Sequence, residues 1–390
     1  MIVISNGKEE EIMKKGVICF FVFILMILGT VIPVSTTAVS STTPHPLTVG
    51  NTLYVGGSGP NNYTKIQDAI NEATYGDIIF VYDDSSPYYE NIVMEKSITL
   101  TGEDRDTTII LGDENADGVI VNISASDVSI SGFTIQPNEG QPAGIVVSKN
   151  YTYPDYWNIG ILQNITIFDT TIKNTGWAGI FGVRMIYGNI YDNTIENCKG
   201  SGILLFICSN TTITSNVVSD CSYRGIEIDG LWSQYRIMNY RNPVPENNVI
   251  SQNTVSSNRW GIELNSGPVN TKISENNIIE NHETGIQIID ASKTLITRNN
   301  FIDNTEDAYF MAVLIIRYPR FVLNSWDSNY WGETKKIPIR INGDFYFMPF
   351  PRIPIDIAFP KFSLTQWQLP WMAFDKHPAQ EPYEAPLRQA

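Results

Sequence analysis

Basic side chains are scarce. Lys and Arg number 26 against 41 Asp and Glu, and the net charge of -15 excludes nucleic acid or an anionic membrane surface as the natural partner. A polyanionic substrate would have to arrive with a cation. Histidine is rarer still, with three in 390 residues at His45, His282 and His377, too far apart for a zinc spacing. No nucleophile elbow and no phosphate loop occur. Charge of either sign is low at 17%, so the polar surface comes from Asn, Thr and Ser, while 43% hydrophobic residues rule out a disordered chain.

Long apolar runs are missing but for one, from Val17 to Val34. Met13, Lys14 and Lys15 precede it as a basic start, and Thr36 and Ala38 follow with the spacing of a cleavage site. Residues 1–38 therefore read as a signal peptide, with an uncleaved anchor as the alternative, and the remainder is expected outside the cytoplasm. Ser, Thr and Pro in residues 39–50 form a spacer.

The body is repetitive. Gly-Ile pairs begin at Gly144, Gly179, Gly202, Gly225, Gly261 and Gly285, with steps of 23, 23 and 24 residues and two longer steps of 35 and 36 that hold insertions. A second motif, Ile-x-x-Asn-x-(Ile/Val/Phe), places Asn193, Asn216, Asn253, Asn276 and Asn299 at one position, with Cys198, Cys221, Asn258, Asn281 and Asn304 five residues on. Apolar residues alternate with polar ones, the period of a half-buried strand. The fold class is therefore all-β: a right-handed parallel β-helix over residues 51–325, in which each residue lies about 4.8 Å above its counterpart one coil earlier. Asn stacks are expected at its turns, where Asn tolerates left-handed geometry. Cys198 and Cys221 would be neighbours, as a disulfide or as packed thiols, with Cys208 left over.

Solenoid ends need covers. Thr64-Lys65-Ile66-Gln67 reads as a capping box, and Ile66, Ala69, Ile70 and Ala73 as the apolar stripe of a short helix plugging the amino end. First strands are predicted at Asp77 to Tyr82, Ile92 to Met94 and Ile98 to Thr101. Residues 326–390, aromatic and Pro-rich from Trp326 to Phe374, read as a carboxyl cap, or alternatively as an exposed adhesive surface.

One cluster of candidate catalytic groups emerges. In Gly225-Ile226-Glu227-Ile228-Asp229 and Gly261-Ile262-Glu263-Leu264 the Ile residues point inward, so Glu227 and Glu263 point outward from adjacent coils, at the spacing two glycosidase carboxylates require. Asp229 joins them. The alternative is a set of solvated strand charges countered by Arg224 and Arg259. Both insertions follow Gly-Ile strands and so share a face. Tyr151, Tyr153, Tyr156 and Trp157 in the first, Trp232, Tyr235, Arg236, Tyr240 and Arg241 in the second, and Trp260 beside them make a candidate carbohydrate-binding surface. Sequons occur at Asn62, Asn122, Asn150, Asn164 and Asn210.

Tyr63-Thr64-Lys65-Ile66-Gln67-Asp68-Ala69-Ile70, Gly76-Asp77-Ile78-Ile79-Phe80-Val81, Tyr89-Glu90-Asn91-Ile92 and Ile98-Thr99-Leu100-Thr101-Gly102 resemble the opening of pectin lyase-like β-helix proteins. The Asn-x-Ile and Gly-Ile-x-Ile repeats resemble those of the NosD-type periplasmic copper-binding group, over roughly Leu53 to Trp331. That resemblance implies a part in copper delivery or copper-enzyme maturation. Yet the three His and Met94, Met185, Met238, Met311, Met348 and Met372 are scattered, so neither copper nor calcium has a ligand cluster and no cofactor is expected. Gly132-Phe133-Thr134-Ile135-Gln136 resembles a pectin methylesterase motif, without that family's paired Asp and Arg-Trp segments. Three readings follow: non-catalytic binding of carbohydrate or another cell-surface polymer, which is favoured; a polysaccharide hydrolase or lyase using Glu227, Glu263 and Asp229; and a NosD-like accessory.

Overall fold

The computed structural model describes residues 50–113, 118–137, 143–149, 160–230, 244–315, 324–333, 338–348 and 367–384. Residues 1–38, read above as a signal peptide or anchor, lie outside them. Among the described residues no helix is long and apolar enough to cross a membrane.

The repeat folds as its periodicity predicts, into stacked parallel strands. The repeats contribute three short strands each, for example Ile203–Phe206, Thr212–Thr214 and Val217–Ser219, then Arg224–Asp229, Val249–Ser251 and Thr254–Ser256, the first two joining a 22-stranded sheet and the third a 10-stranded one. Register is kept from coil to coil: Ile203 pairs with Ile226, Ile226 with Ile262 and Ile262 with Ile286, all fully buried. Stacked Ile, Val and Leu fill a single continuous core. The Gly of each Gly-Ile pair is there because neighbouring side chains and the next coil's backbone leave no room for a Cβ. A Cβ at Gly225 would stand 2.5 Å from Val255 Cγ1 and 2.8 Å from the Gly261 carbonyl oxygen.

Asn210, Asn247 and Asn270 stack in left-handed geometry as expected, but the inner Asn stack departs from that expectation. Left-handed geometry there belongs not to the stacked Asn but to the residue before it: Asp192, Ser215, Gln252, Glu275 and Arg298, with φ between 55° and 61°. That bend turns the following Asn inward, where Asn193, Asn216, Asn253, Asn276 and Asn299 are each at most 1% exposed. Each amide Nδ2 donates to Oδ1 of the next, at 2.9, 3.0, 2.9 and 2.9 Å in turn. Asn299 continues to Asn329 at 3.0 Å, and Asn329 ends the run by donating to the Asp375 carboxylate at 3.0 Å.

At the amino end the helix α1 spans Ile66–Glu72 and buries Ile66, Ala69 and Ile70. A strand not foreseen, Thr52–Val55, precedes it and pairs with Ile78–Val81. The capping box does not form. Glu90, from the following coil, takes the helix N-terminal amides of Ile66 at 2.8 Å and Gln67 at 2.9 Å. Gln67 instead bonds the backbone of Val93 through its amide, accepting at 2.8 Å and donating at 3.3 Å. Lys96 Nζ closes the other end on the carbonyls of Ile70, Asn71 and Ala73 at 3.1, 2.6 and 2.8 Å. An ionised carboxylate at the positive end of the helix dipole and an ammonium at the negative end do better than a local hydroxyl.

At the carboxyl end the stack runs through Ser325–Asp327 and Tyr330–Trp331, so a boundary after residue 325 falls inside a strand. Ile339–Met348 lies parallel on Glu306–Ile315 and antiparallel to Trp367–Asp375. Asp375 is fully buried and accepts from the amides of Ser328, Asn329 and His377 and from the Trp331 indole, at 2.9 to 3.1 Å.

Candidate carboxylate site on the Gly-Ile face

Strands Arg224–Asp229 and Trp260–Asn265 stand side by side, with Glu227 opposite Glu263, Arg224 opposite Trp260 and Asp229 opposite Asn265. Strand alternation sends Glu227, Asp229, Glu263 and Asn265 outward once Ile226, Ile228, Ile262 and Leu264 have turned in, whereas Arg224 and Trp260, at the strand starts before the Gly, share the parity of the inward residues and are not placed by alternation. Outward does not mean wet. Glu227 is 5% exposed and Glu263 0%, so these are not the solvated charges a strand face would ordinarily carry.

The cations also divide differently from the sequence expectation. Arg224 serves both glutamates, at 2.8 Å to Glu263 and 3.7 Å to Glu227, while Arg259 pairs with Glu283 at 2.7 Å. The Arg224 guanidinium lies 4.0 Å from the Tyr223 ring centre and 5.2 Å from that of Trp260, and Arg259 lies 4.1 Å from the Trp260 ring. Tyr223 meets Trp260 edge-on at 5.0 Å. Trp260 is thus a clamp on two arginines as much as a surface for a sugar ring.

Three carboxylates with one shared cation make an unbalanced cluster. Burial pushes Glu227 up to about 7, with Arg224 opposing and Glu263 adding to the shift. Asp229 is likewise pushed up to about 7, by burial and then by the charge of Glu227. Glu263 is also raised by burial, against the direct pull of Arg224. For Arg224 burial works against the charge, but the pairing with Glu263 and the field of Glu227 more than restore it. Glu227 Oε2 accepts from Ser201 at 2.9 Å. Among the described residues Glu263 Oε2 and Asp229 Oδ1 are shielded from water without a hydrogen-bond partner, and so is the donor Arg224 Nε, while the Asp229 carboxyl is also held by the Ser266 side chain.

Ser201 was missed in the sequence. It occupies the position before a Gly-Ile pair, the same repeat position as Arg224 and Trp260, and aligning the repeats by that position would have shown it. The insertion residues Tyr151, Tyr153, Tyr156, Trp157, Trp232, Tyr235, Arg236, Tyr240 and Arg241 lie outside the described residues, as does Asn150. N-terminal to the carboxylates the same outer face is apolar, with Ala143, Val146, Ala178, Phe181 and Val183 buried together.

Soft-ligand chemistry finds no centre. Among the described residues no three His, Cys, Asp or Glu side chains are grouped to hold a metal ion. Met94 and Met185 are core residues, Met372 is 41% exposed, and His377 Nδ1 sits 2.6 Å from Asp327. Cys198, Cys208 and Cys221 are free and buried. The Cys198 and Cys221 thiols share a hydrogen bond, which lowers the first and raises the second, while burial pushes Cys208 up to about 12.

Among solved structures the chain is similar to the mannuronan C-5 epimerase AlgE4 A-module of Azotobacter vinelandii, at 13% identity and a TM-score of 0.47, covering 66% of this chain and 81% of that one. It is similar to the polygalacturonase of Erwinia carotovora ssp. carotovora at 12% identity and 0.47, covering 77% and 93%. Pectate lyase Pel9A is similar at 13% and 0.47, covering 73% and 81%. Identity at this level speaks to fold alone. No curated protein matches the chain. The model of the right-handed β-helix region matches residues 51–302, well over half the chain, and with the stacked coils described above the protein belongs to the right-handed β-helix family.

Proposed function

We propose that the protein works outside the cytoplasm on a carbohydrate polymer, and that Glu227, Asp229 and Glu263 on the Gly-Ile face supply acid–base chemistry there. The observation that carries this reading is the asymmetry of the cluster. Glu227 and Asp229 titrate near neutrality, where a group can both give and take a proton, while Glu263 has the closer hold on Arg224. Glycosidic bond cleavage uses this division, one carboxyl protonating the leaving oxygen and a second, ionised one activating water or attacking the sugar. In this assignment Glu227 is the acid, oriented by Ser201, and Glu263 the second carboxyl, held by Arg224, with Asp229 beside them. Arg224 is a positioning residue.

A second reading, binding without turnover, is favoured by the burial of the glutamates at 5% and 0%, which keeps them from direct reach of a polymer in this conformation. A polysaccharide panel assayed for new reducing ends and for unsaturated products separates the two. Products that disappear in Glu227→Gln support catalysis. Retention of a polymer with no products, unaltered in Glu227→Gln, supports binding alone.

A further inference from the structure

An Asn run at the exposed turns of this solenoid ends on an amide that the fold leaves unused. Asn270 Nδ2 donates to Asn247 Oδ1 at 2.6 Å, and Asn247 Nδ2 donates in turn to Asn210 Oδ1 at 3.4 Å. The run stops there. One coil nearer the amino end the same position is held by Tyr187, whose backbone amide bonds the Ser209 carbonyl, so Asn210 Nδ2 meets no side-chain amide. Among the described residues it has no acceptor, and it is not one of the side-chain atoms shielded from water. Asn210 also opens the sequon Asn210-Thr211-Thr212, at a left-handed turn with φ 52°. Thr212 points out of its strand where Ile213 points in, and its hydroxyl is likewise unbonded and open to water. The other described sequons differ. Asn62 Nδ2 donates to the Gly56 carbonyl at 2.5 Å and Asn164 Nδ2 to Asp127 at 2.7 Å. Asn122 has its Oδ1 buried without a partner, and the hydroxyl of its Ser124 is turned onto the Met94 carbonyl at 3.4 Å.

Resting on the extracytoplasmic reading above, we propose that Asn210 is an N-glycosylation site. A host transferase joins Nδ2 to C1 of a sugar carried on a lipid pyrophosphate. The C1–O bond to the pyrophosphate breaks, the lipid pyrophosphate leaves as the anion, and one amide proton passes to base. Oδ1 is untouched, so the bond from Asn247 survives and the fold gives up nothing. At Asn62 or Asn164 the same transfer falls on a nitrogen that already holds its turn. Tyr187, 50% exposed and level with Asn210 on the neighbouring coil, offers a ring for the first sugar to lie against.

The test is peptide mapping by mass spectrometry of the full-length protein from the cells that make it, with the medium, surface and cytoplasmic fractions kept apart. Asn210→Gln, Thr212→Ala and Thr212→Ser are expressed in the same cells, each first checked for wild-type thermal unfolding. The expected result is a glycan on the Asn210 peptide in most of the extracytoplasmic protein. It should be lost in Asn210→Gln and Thr212→Ala and kept in Thr212→Ser, with at least ten-fold lower occupancy at Asn62, Asn122 and Asn164. Protein found outside the cytoplasm with Asn210 bare overturns the proposal while leaving the extracytoplasmic reading in place. Equal occupancy at Asn62 or Asn164 also overturns it, because the free nitrogen would then not be what selects the site. Protein confined to the cytoplasm removes both.

Discussion

Two stacks of polar residues run along this solenoid, one inside and one outside, and they have opposite electrostatic fates. Inside, Asn193 to Asn329 form an amide run in which each side chain donates to the next and accepts from the one before. Outside, Glu227 sits over Glu263 in the same kind of register. An amide carries a donor and an acceptor, so translation by one coil brings complementary groups together. A carboxylate carries acceptors alone, and the same translation brings like groups together. Repetition therefore stabilises the first stack and strains the second. The acid–base role proposed above draws on that like-charge contact.

Breaking the inner stack should cost most. Asn253→Leu leaves the Asn216 amide and the carbonyls of Ile213 and Ser251 without their partner, and the loss should reach about 4 kcal/mol, read as a fall in the urea midpoint. Removing its last acceptor is expected to cost somewhat less. Asp375→Ala orphans the Asn329 amide and the Trp331 indole, for about 3 kcal/mol by the same measurement.

The outer stack should respond with the opposite sign. Glu227→Gln gives Glu263 a donor and removes a buried acid, so it should stabilise the protein by about 2 kcal/mol at pH 8. The effect should shrink toward zero near pH 4. The direction follows from the raised carboxyls: with Glu227 and Asp229 at about 7 when folded against model values of 4.5 and 3.8, the folded protein holds protons that the unfolded chain has released. That contribution to stability is complete below about pH 4 and is lost as pH rises through about 7. Thermal unfolding of wild type and Glu227→Gln from pH 4 to pH 8 checks it, and parallel curves would remove the strained-stack account. The smallest effect is expected at the plug. Glu90→Ala frees the first amides of α1 and should cost about 1 kcal/mol, seen as faster amide exchange at Ile66 and Gln67.

Much of this was legible in residue spacing. The Gly-Ile and Ile-x-x-Asn registers placed both stacks and the neighbouring glutamates, because in a solenoid the contacts that matter lie one period apart. The capping box at Thr64 failed for the converse reason: the group that caps α1, Glu90, arrives from the next coil, where no local motif announces it. Ser201 escaped because its own repeat lacks the charged residues that drew attention to Arg224 and Trp260.

Period and residue type thus settle the coil, its core and which side chains stand above one another, since 23 residues per turn and alternating strands allow little else. Whether an outward residue meets water is decided in three dimensions. Glu227 and Glu263 read as surface charges from their alternation, yet they are buried and share one arginine. Burial depends on what lies over a face rather than on the period beneath it, and a carboxylate changes its proton affinity only once water has been taken away.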